Sequence, residues 1–194
     1  MLDIKDIEIY AKENYVPIAR KQTIEFILNL MKERNYTRFS EIGTAIGYTS
    51  INVALLNKNI NVVTIEHDSK RAEIAKKNFI EFGVNEQINM IEDDAVTITI
   101  NDKFDLIFID ASKKRNDYFL DKFSPNLNEG GMIIIDNMKL EDFWVNAKKE
   151  KKEKFHKMNE EFKKNLLNRK EFDVQILEDI GDGIALIKKK NEKD

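Results

Sequence analysis

The stretch "FDLIFIDASKKRNDYF", residues 104–119, decides the fold class that we predict for this chain. Five of the six residues from Phe104 to Ile109 are apolar, and Asp110 follows them directly. A short, continuous apolar run is typical of a strand that is buried on both faces of a parallel sheet. A second run, "GMIIIDN" at residues 131–137, also ends in an aspartate, which is followed by an asparagine. The two runs therefore predict two buried strands that carry polar side chains at their carboxyl ends.

The rest of the chain continues this alternation of strand and helix patterns. Three further strands are predicted before residue 104, at "TRFSEIG", "NVVTIEH" and "INMIED", and two after residue 170, at "FDVQILED" and "GIALIKKK". The last two are joined through the short turn "IGDG", so they must pair antiparallel, because a parallel return needs a crossover. The predicted fold class is therefore α/β: a mostly parallel sheet with helices on both faces and a C-terminal antiparallel hairpin. No repeat or linker divides the chain, so residues 1–194 are expected to form a single domain.

The helices are predicted from apolar residues at helical spacing. The first covers residues 2–14 and places Leu2, Ile4, Ile7, Ile9 and Ala11 on one side, and the second opens with Pro17. Two more follow the first two strands, the later of them capped by Asp68 and stopped by Gly83, and another covers most of residues 115–127. The last helix carries the stripe Phe155, Met158, Phe162 and Leu166.

Composition excludes several classes of protein. The chain is 42% hydrophobic and 35% charged, with seven Gly and two Pro, which is typical of an ordered, soluble, helix-rich protein. It has no cysteine, so a disulfide framework and a thiolate site are excluded, and zinc would lack its favoured sulfur ligands. No signal peptide and no apolar run of membrane-spanning length is present, so we expect a cytoplasmic protein with no membrane partner.

The net charge of -3 conceals a basic segment. Residues 147–170 hold ten Lys or Arg and four Glu, a local charge of +6, which leaves -9 for the rest of the chain. Such a segment can follow the phosphates of a nucleic acid, or it can be the solvated face of a helix.

A glycine-containing loop, "EIGTAIGYTS" at residues 41–50, connects the first strand to the next helix. Gly43 and Gly47 let the backbone turn tightly and approach a ligand. The spacing differs from the G-x-G-x-x-G of a dinucleotide fold and from a phosphate loop, and alone it would be a plain turn.

Two carboxylates beyond this loop indicate a nucleoside site. Glu66 ends the second strand, where a carboxylate can accept both hydroxyls of a ribose. Asp94 and Ala95 follow the third strand, where the adenine edge would lie. Ligands of open α/β sheets bind in the crevice at these carboxyl ends.

Taken in order, "YAKENYVPIAR", "EIGTAIGYTS", "VVTIEHD", "EDDAV", "DLIFIDASK", "GGMIIIDN" and "DGIALIKKK" resemble the class I S-adenosylmethionine-dependent methyltransferases. More narrowly, the chain resembles the metal-dependent O-methyltransferases, which include catechol and caffeoyl-CoA enzymes and the bacterial tRNA 5-hydroxyuridine methyltransferases. The resemblance covers nearly the whole chain. It implies a Rossmann-like fold with a seven-stranded sheet and S-adenosylmethionine as cofactor. The cofactor-binding residues that it implies are Glu41, Gly43, Gly47, Thr49, Glu66, Asp94, Ala95 and Asp110.

The two aspartates that end the apolar strands gain a role from this resemblance. Asp110, Asp136 and Asn137 would converge as three oxygen ligands of one hard cation, although Asp136 and Asn137 alone also suit a plain turn. Magnesium usually takes one or two carboxylates and keeps its other positions for water or substrate, and manganese could replace it. Lys113 stands where the family keeps its lysine base, and it would take a proton from the attacking hydroxyl.

Two departures from the family pattern concern the substrate side of the site. Relatives carry a tyrosine three residues after the base, where this chain has Asn116, with Tyr118 two positions later. The chain also begins almost at the helix before "YVPIAR", so an additional N-terminal helix for a lid or a dimer contact is expected to be missing. Whether the protein forms a homodimer is left open.

Three hypotheses remain for the substrate. The first is a tRNA-modifying enzyme that methylates 5-hydroxyuridine in the anticodon, which the basic segment favours. The second is a small-molecule enzyme acting on catechol-like vicinal hydroxyls, with Phe143 and Trp144 as walls for a small dihydroxy-aromatic ring. The third is a non-catalytic RNA-binding module, which the intact set of candidate site residues disfavours.

Overall fold

A computed structural model of the chain describes residues 3–139 and 149–190, and it contains one seven-stranded sheet. The strands are β1 (Arg38–Ile42), β2 (Asn61–Glu66), β3 (Ile88–Glu92), β4 (Phe104–Ile109), β5 (Leu127–Asp136), β6 (Phe172–Leu177) and β7 (Ile184–Lys189). Their order across the sheet is β3-β2-β1-β4-β5-β7-β6. The first five strands are parallel, and β7 pairs antiparallel with both β5 and β6. The predicted α/β fold with its C-terminal antiparallel hairpin is thereby confirmed.

Six α-helices accompany the sheet within the described ranges. They are α1 (Ile4–Glu13), α2 (Lys21–Arg34), α3 (Tyr48–Leu56), α4 (Ser69–Glu81), α5 (Asn116–Phe123) and α6 (Lys149–Leu167). Among the helices of this part of the chain, none has the length and apolar character that crossing a membrane requires.

Helices cover both faces of the sheet because the central strands are apolar on both faces. Successive residues of one strand, such as Phe108 and Ile109, belong to two separate core clusters. The first cluster includes residues of α1 to α4, and the second includes residues of α5 and α6. This arrangement follows from the period of two along a strand, which sends successive side chains to opposite faces.

The register of the parallel strands determines where the polar residues emerge. Ile42 of β1 is paired with Ile65 of β2 and with Ile109 of β4. Ile109 is in turn paired with Ile135 of β5. The residues that come next along these four strands are Gly43, Glu66, Asp110 and Asp136, and they therefore leave the sheet at one level. The strand order reverses between β1 and β4, which is the place where open α/β sheets bind ligands.

The predicted start of the second helix was wrong. Helix α2 begins at Lys21 and not at Pro17, because Arg20 has an extended backbone, with φ -66° and ψ 148°. The preceding residues are fixed by the end of α1, where Val16 N–H donates to the carbonyl of Ala11 at 2.8 Å. Tyr15, between the helices, has a left-handed backbone with φ 54°. Residues 16–20 thus form an extended connection, and Pro17 is not part of the first turn of α2.

The positions of the other predicted helices agree with the structure, with one exception among their described side chains. Leu2 lies outside the described residues, and the side chain of Phe155 is not among those described. Asp68 caps α4 by accepting from the N–H groups of Lys70 and Arg71, and Gly83 follows the helix with φ +67°. In α6, Leu166 is fully buried. The exception is Ile9, which is 54% exposed because it lies two residues from buried Ile7 and so points away from the core.

Candidate active site

A cavity of about 380 Å³ opens at the carboxyl ends of β1, β2 and β4. Its lining includes seven residues that the sequence analysis selected: Glu41, Gly43, Thr49, Glu66, Asp110, Lys113 and Asn137. The extended segment Pro17, Ile18 and Ala19 forms part of its wall. The site is thus built from loops at one edge of the sheet and from the connection between α1 and α2.

A second cavity of about 520 Å³ shares residues with the first, including Gly43, His67 and Ala111. It contains Asp94 and Ala95, which the sequence analysis placed at the adenine edge. The Asp94 carboxylate accepts from Val96 N–H at 2.9 Å and lies 3.6 Å from the Arg115 guanidinium. The hydrogen bond from Val96 N–H and the charge of Arg115 lower the pKa of Asp94. Asp94 therefore provides a fixed negative charge in this second cavity.

Gly43 and Gly47 serve different purposes. Gly43 has φ +105°, and a Cβ at this position would overlap the carbonyl oxygen of Asp110. Only glycine allows the β1–α3 loop to lie this close to the loop after β4. Gly47 has φ +90° at the N-terminus of α3, and a Cβ there would lie 2.5 Å from the ring of Phe79. The role of Gly47 visible in this structure is therefore the packing of α3 against α4.

Glu66 organises the backbone around the first cavity. Its Oε2 accepts from Ala45 N–H at 2.8 Å, and its Oε1 accepts from Asp68 N–H at 2.9 Å. The carboxylate is only 4% exposed and lies on the cavity wall. These two hydrogen bonds fix its orientation, so that its remaining acceptor capacity is available to a ligand. The prediction that Glu66 holds a ribose is consistent with this geometry and stays a prediction.

Glu41 lies deeper, in a buried polar cluster. Its Oε2 accepts from Ser50 Oγ at 2.5 Å and from Thr64 Oγ1 at 2.9 Å, and Thr64 lies 2.6 Å from Thr44 Oγ1. Burial raises the pKa of Glu41 to about 8, although the hydroxyl donors favour the ionised form. Burial therefore favours the neutral carboxylic acid of Glu41 in the folded protein.

Asp110, Asp136 and Asn137 come together as the sequence analysis expected. Asn137 Nδ2 donates to Asp110 Oδ1 at 3.1 Å, and Asn137 N–H donates to Asp136 Oδ1 at 2.8 Å. Burial raises the pKa of Asp110 to about 6. Burial and the nearby Asp110 charge also raise the pKa of Asp136. Two carboxylates that both resist ionisation lie next to each other, which is the electrostatic situation that a bound cation relieves.

The side-chain oxygen of Asn137 supports the same interpretation. Asn137 Oδ1 is buried and accepts no hydrogen bond from the residues that the structure describes. A buried acceptor without a partner costs about 1–3 kcal/mol, so its retention requires an explanation. The backbone of Asn137 is also left-handed, with φ 67°, which asparagine tolerates better than most residues. The oxygen set of two carboxylates and one amide fits magnesium. No cluster of three or more His, Cys, Asp or Glu residues suited to a metal occurs in the described ranges, so a cation here would depend on this mixed set.

Lys113 lies beside these oxygens. It follows Asp110 by three residues, and its Nζ is buried. Burial lowers the pKa of Lys113, whereas the charges of Asp110 and Asp136 raise it. The pKa of Lys113 is lowered on balance, as is required of a lysine that acts as a base near neutral pH.

The sequence analysis missed Asp182, which lies in the turn between β6 and β7. Its side chain is 9% exposed, and it pairs with Arg20. Its charge raises the pKa values of Asp110 and Asp136, so it belongs to the surroundings of the candidate site. No spacing in the sequence indicates this, because Asp182 stands in a turn where aspartate is common.

Tyr118 does not replace the tyrosine of the family pattern in this structure. Its hydroxyl donates to the carbonyl of Val96 at 3.1 Å, and its ring lies edge-on to Phe119. Asn116, at the family's tyrosine position, is buried at the start of α5. The predicted aromatic walls Phe143 and Trp144 lie outside the described residues.

Comparison with known proteins assigns this combination of fold and site to a class. A family model described as O-methyltransferase matches residues 5–190. A solved structure from Staphylococcus aureus, named as a candidate caffeoyl-CoA O-methyltransferase, is 29% identical and has a TM-score of 0.87, covering 98% of this chain and 93% of that one. An O-methyltransferase from Bacillus cereus in complex with SAH is 22% identical and has a TM-score of 0.79, covering 98% and 92%.

Relatives by sequence agree with the structural comparison. The catechol O-methyltransferase of Mycobacterium tuberculosis is 31% identical over 105 residues, which are 52% of this chain and 48% of that protein. The fold and the matches define the class as S-adenosylmethionine-dependent methyltransferases. The chain belongs to the O-methyltransferase family. Because it spans only about half to two thirds of several curated relatives, its substrate is a separate question.

The raised pKa of Glu41 predicts a pH dependence of stability. The folded protein keeps a proton on Glu41 up to about pH 8, whereas the unfolded chain releases it near the ordinary value of 4.5. Relative to Glu41→Gln, the wild-type free energy of unfolding should therefore fall as the pH rises from about 4.5 to 8, by at most about 1.4 kcal/mol per pH unit. Urea denaturation of both proteins at several pH values measures the difference. A constant difference across this window would contradict the assignment of a neutral Glu41.

The position of Glu66 predicts an effect on cofactor binding. Glu66→Gln should weaken binding of S-adenosylmethionine by roughly 1.5–3 kcal/mol, because an ionised hydrogen-bond acceptor is lost. Isothermal titration calorimetry measures the dissociation constant. Glu92→Gln is a matched control, since Glu92 is paired with Glu66 in register at the end of the neighbouring strand β3. Equal dissociation constants for Glu66→Gln and the wild type would show that the ribose lies elsewhere.

Proposed function

We propose that this O-methyltransferase transfers the methyl group of S-adenosylmethionine to the hydroxyl of 5-hydroxyuridine in tRNA, with a divalent cation at Asp110, Asp136 and Asn137. The observation that carries the proposal is the convergence of these three residues with Lys113 at the switch point of the sheet. The unsatisfied, buried Asn137 Oδ1 supports the cation, because no protein donor of the described residues uses it. The acceptor is a hydroxyl with a second oxygen on the adjacent carbon, since such a pair can chelate a cation.

The chain's own residues account for most of the chemistry. Bound magnesium would lower the pKa of the acceptor hydroxyl and fix its orientation. Lys113 Nζ is the group that receives the hydroxyl proton, and its burial favours the neutral amine that this step requires. Asp110 and Asp136 favour the ammonium form once the proton has arrived, because both carboxylates raise the pKa of Lys113.

Alignment of the cofactor with the acceptor supplies the remaining part of the rate enhancement. Glu66, on the wall of the first cavity, would accept hydrogen bonds from the ribose hydroxyls, and Asp94, in the second cavity, would hold the base. The glycine at position 43 brings the cofactor loop against the backbone of Asp110, so the donor and acceptor sites share one wall. Holding the methyl group and the oxygen in line is the principal catalytic effect expected for such a displacement.

The position of α6 supports an RNA substrate. This helix carries most of the basic segment, and Asn159 in its middle donates to the carbonyl of Met138 at 2.6 Å. Met138 directly follows Asn137, so the basic helix lies against the proposed cation site. Lys154 and Lys157 are exposed on it. These two charges support the proposal, because lysines on a helix beside the proposed cation site can bind the phosphates of a large substrate.

Part of the basic charge is already neutralised within the protein. Lys163 pairs with Glu178 at 2.8 Å and with Glu160 at 3.2 Å. Arg169 pairs with Asp121 and Glu171. Among the described lysines of α6, we therefore assign the proposed phosphate contacts to Lys154 and Lys157, which are exposed near its N-terminal end. Lys148 lies outside the described residues, and the side chains of Lys149, Lys151 and Lys152 are not among those described.

A small-molecule substrate is the second candidate. The relative from Mycobacterium tuberculosis is named a catechol O-methyltransferase, and a catechol presents the same arrangement of adjacent oxygens. The two candidates use the same cation and the same base, and they differ only in what surrounds the reacting ring. Methyl transfer from labelled cofactor to bulk tRNA, compared with transfer to catechol, decides between them.

Removing one carboxylate tests the proposed cation site. Asp136→Asn should lower methyl transfer at least about 100-fold, because the cation supplies several kcal/mol of stabilisation to the transition state. The dissociation constant of S-adenosylmethionine should stay close to that of the wild type, and excess chelator should inactivate the wild type. Asp102→Asn is the control, since Asp102 is an exposed carboxylate that precedes β4 at the opposite edge of the sheet. Full activity in chelator, or in Asp136→Asn, would refute the cation.

Charge reversal on α6 tests the RNA substrate. The double variant Lys154→Glu/Lys157→Glu should raise the KM for tRNA, and each lost phosphate contact should reduce the logarithmic salt slope by about 0.7–0.9. Activity on a small catechol should not change, because a neutral ring has no phosphates.

The matched control is Lys32→Glu/Lys58→Glu. These two exposed lysines precede β1 and β2, at the amino ends of the parallel strands and hence away from the site. Unchanged tRNA kinetics in Lys154→Glu/Lys157→Glu, or equal effects of the two double variants, would favour the small-molecule candidate.

A further inference from the structure

One ion pair connects two parts of the protein that the mechanism treats separately. Arg20 Nε donates to both oxygens of Asp182, at 3.0 and 2.9 Å. The Asp182 side chain is 9% exposed, whereas the Arg20 side chain is 52% exposed. The carboxylate is therefore largely withdrawn from water and requires its partner, while the guanidinium lies at the protein surface.

Arg20 directly follows three residues that form part of the wall of the first cavity. The three residues before it, Pro17, Ile18 and Ala19, line that cavity, and α2 begins directly after it. Of the described contacts, the backbone of residues 16–20 is tied to α1 only through Val16 N–H. Val16, Ile18 and Ala19 also pack against the apolar core. The Arg20 side chain thus adds a polar attachment at the far end of this extended segment.

Asp182 belongs to a turn that is bonded to the proposed cation loop. Its carbonyl accepts from Lys139 N–H at 2.7 Å, and the carbonyl of Gly183 accepts from Met138 N–H at 2.8 Å. A Cβ on Gly183, which has φ +76°, would lie 2.8 Å from Lys139 N, so only glycine allows this contact. Met138 and Lys139 directly follow Asn137. The turn therefore supports the two residues that continue the cation loop.

The same turn also packs on the start of α2. A Cβ on Gly181 would overlap Thr23 Oγ1 and would lie 3.1 Å from Arg20 Cβ. The turn is consequently in direct contact with α2 as well as with the cation loop. The ion pair between Arg20 and Asp182 adds a charged contact between the turn and the start of α2.

We propose that Arg20 and Asp182 are positioning residues that set the wall of the cofactor cavity in register with the loop of Asp136 and Asn137. The proposal rests on the proposed function only in taking the first cavity as the cofactor site. Arginine suits the role because its planar guanidinium carries several donors in a fixed geometry, whereas lysine offers a single flexible point charge. Without the ion pair, Ile18 and Ala19 keep their packing against the apolar core, but the segment loses its polar attachment to the turn of Asp182. The cofactor then binds to a wall that is less well ordered.

The test measures binding of S-adenosylmethionine by calorimetry in the absence of any acceptor. Arg20→Gln and Asp182→Asn should each raise the dissociation constant about tenfold, which corresponds to about 1.4 kcal/mol. The double variant should be no weaker than either single variant, since each change already breaks the same contact. Arg20→Lys keeps the charge, and its dissociation constant should lie between those of Arg20→Gln and the wild type.

Arg38→Gln is the matched control, because Arg38 forms a 2.9 Å ion pair with Asp102 at the amino end of β1. It should leave the dissociation constant unchanged. Melting temperatures of all variants are measured as well, because they separate an effect on the cavity wall from an effect on the overall stability of the fold. The proposal is overturned if Arg20→Gln and Arg20→Lys lower only the melting temperature and bind the cofactor like the wild type. Because no acceptor is present, failure of the tRNA assignment would not alter this result.

Discussion

The parallel register of β1, β2, β4 and β5 is the constraint on which the rest of the structure depends. The ladder places Ile42, Ile65, Ile109 and Ile135 side by side, so the next residue of each strand must emerge at one edge. Two of these four strands continue with aspartate, one with glutamate and one with glycine. A slip of one strand by a single residue would move each of its side chains to the opposite face of the sheet and would separate the four positions. The backbone hydrogen bonds of the sheet therefore position the site before any side-chain contact is made.

This arrangement concentrates negative charge where water is scarce. Asp110 and Asp136 both have raised pKa values, and Glu41 and Asp182 lie in the same region. Arg20 pairs with Asp182, burial favours the neutral form of Glu41, and Lys113 lines the cavity together with Asp110. Such crowding is unfavourable for folding and is characteristic of sites that bind a cation or move a proton. The carboxylates at the edge of the sheet are thus better explained by chemistry than by stability.

The sequence was sufficient for the sheet and for most of the site because both depend on local patterns. Apolar runs that end in Asp110 and Asp136 predict buried strands and the polar residues that follow them. Helix α2 was placed too early because Pro17 is compatible with a first turn, whereas the backbone at Arg20 is extended and the Arg20 side chain bonds to Asp182. That contact joins residues separated by 162 positions, which no local pattern encodes. The neutralised charges of Lys163 and Arg169 were missed for the same reason, since Glu178 and Asp121 come from distant elements.

Gly43 shows how the absence of a side chain determines the form of a binding site. It lines both cavities, and any larger residue would meet the loop of Asp110 at the point where the cavities adjoin. With hydrogen in place of Cβ, the β1–α3 loop packs directly against the backbone of Asp110. The two cavities that Gly43 lines therefore share the wall that these two loops form. The separation of the two loops is thus determined at this position by the smallest residue in the chain.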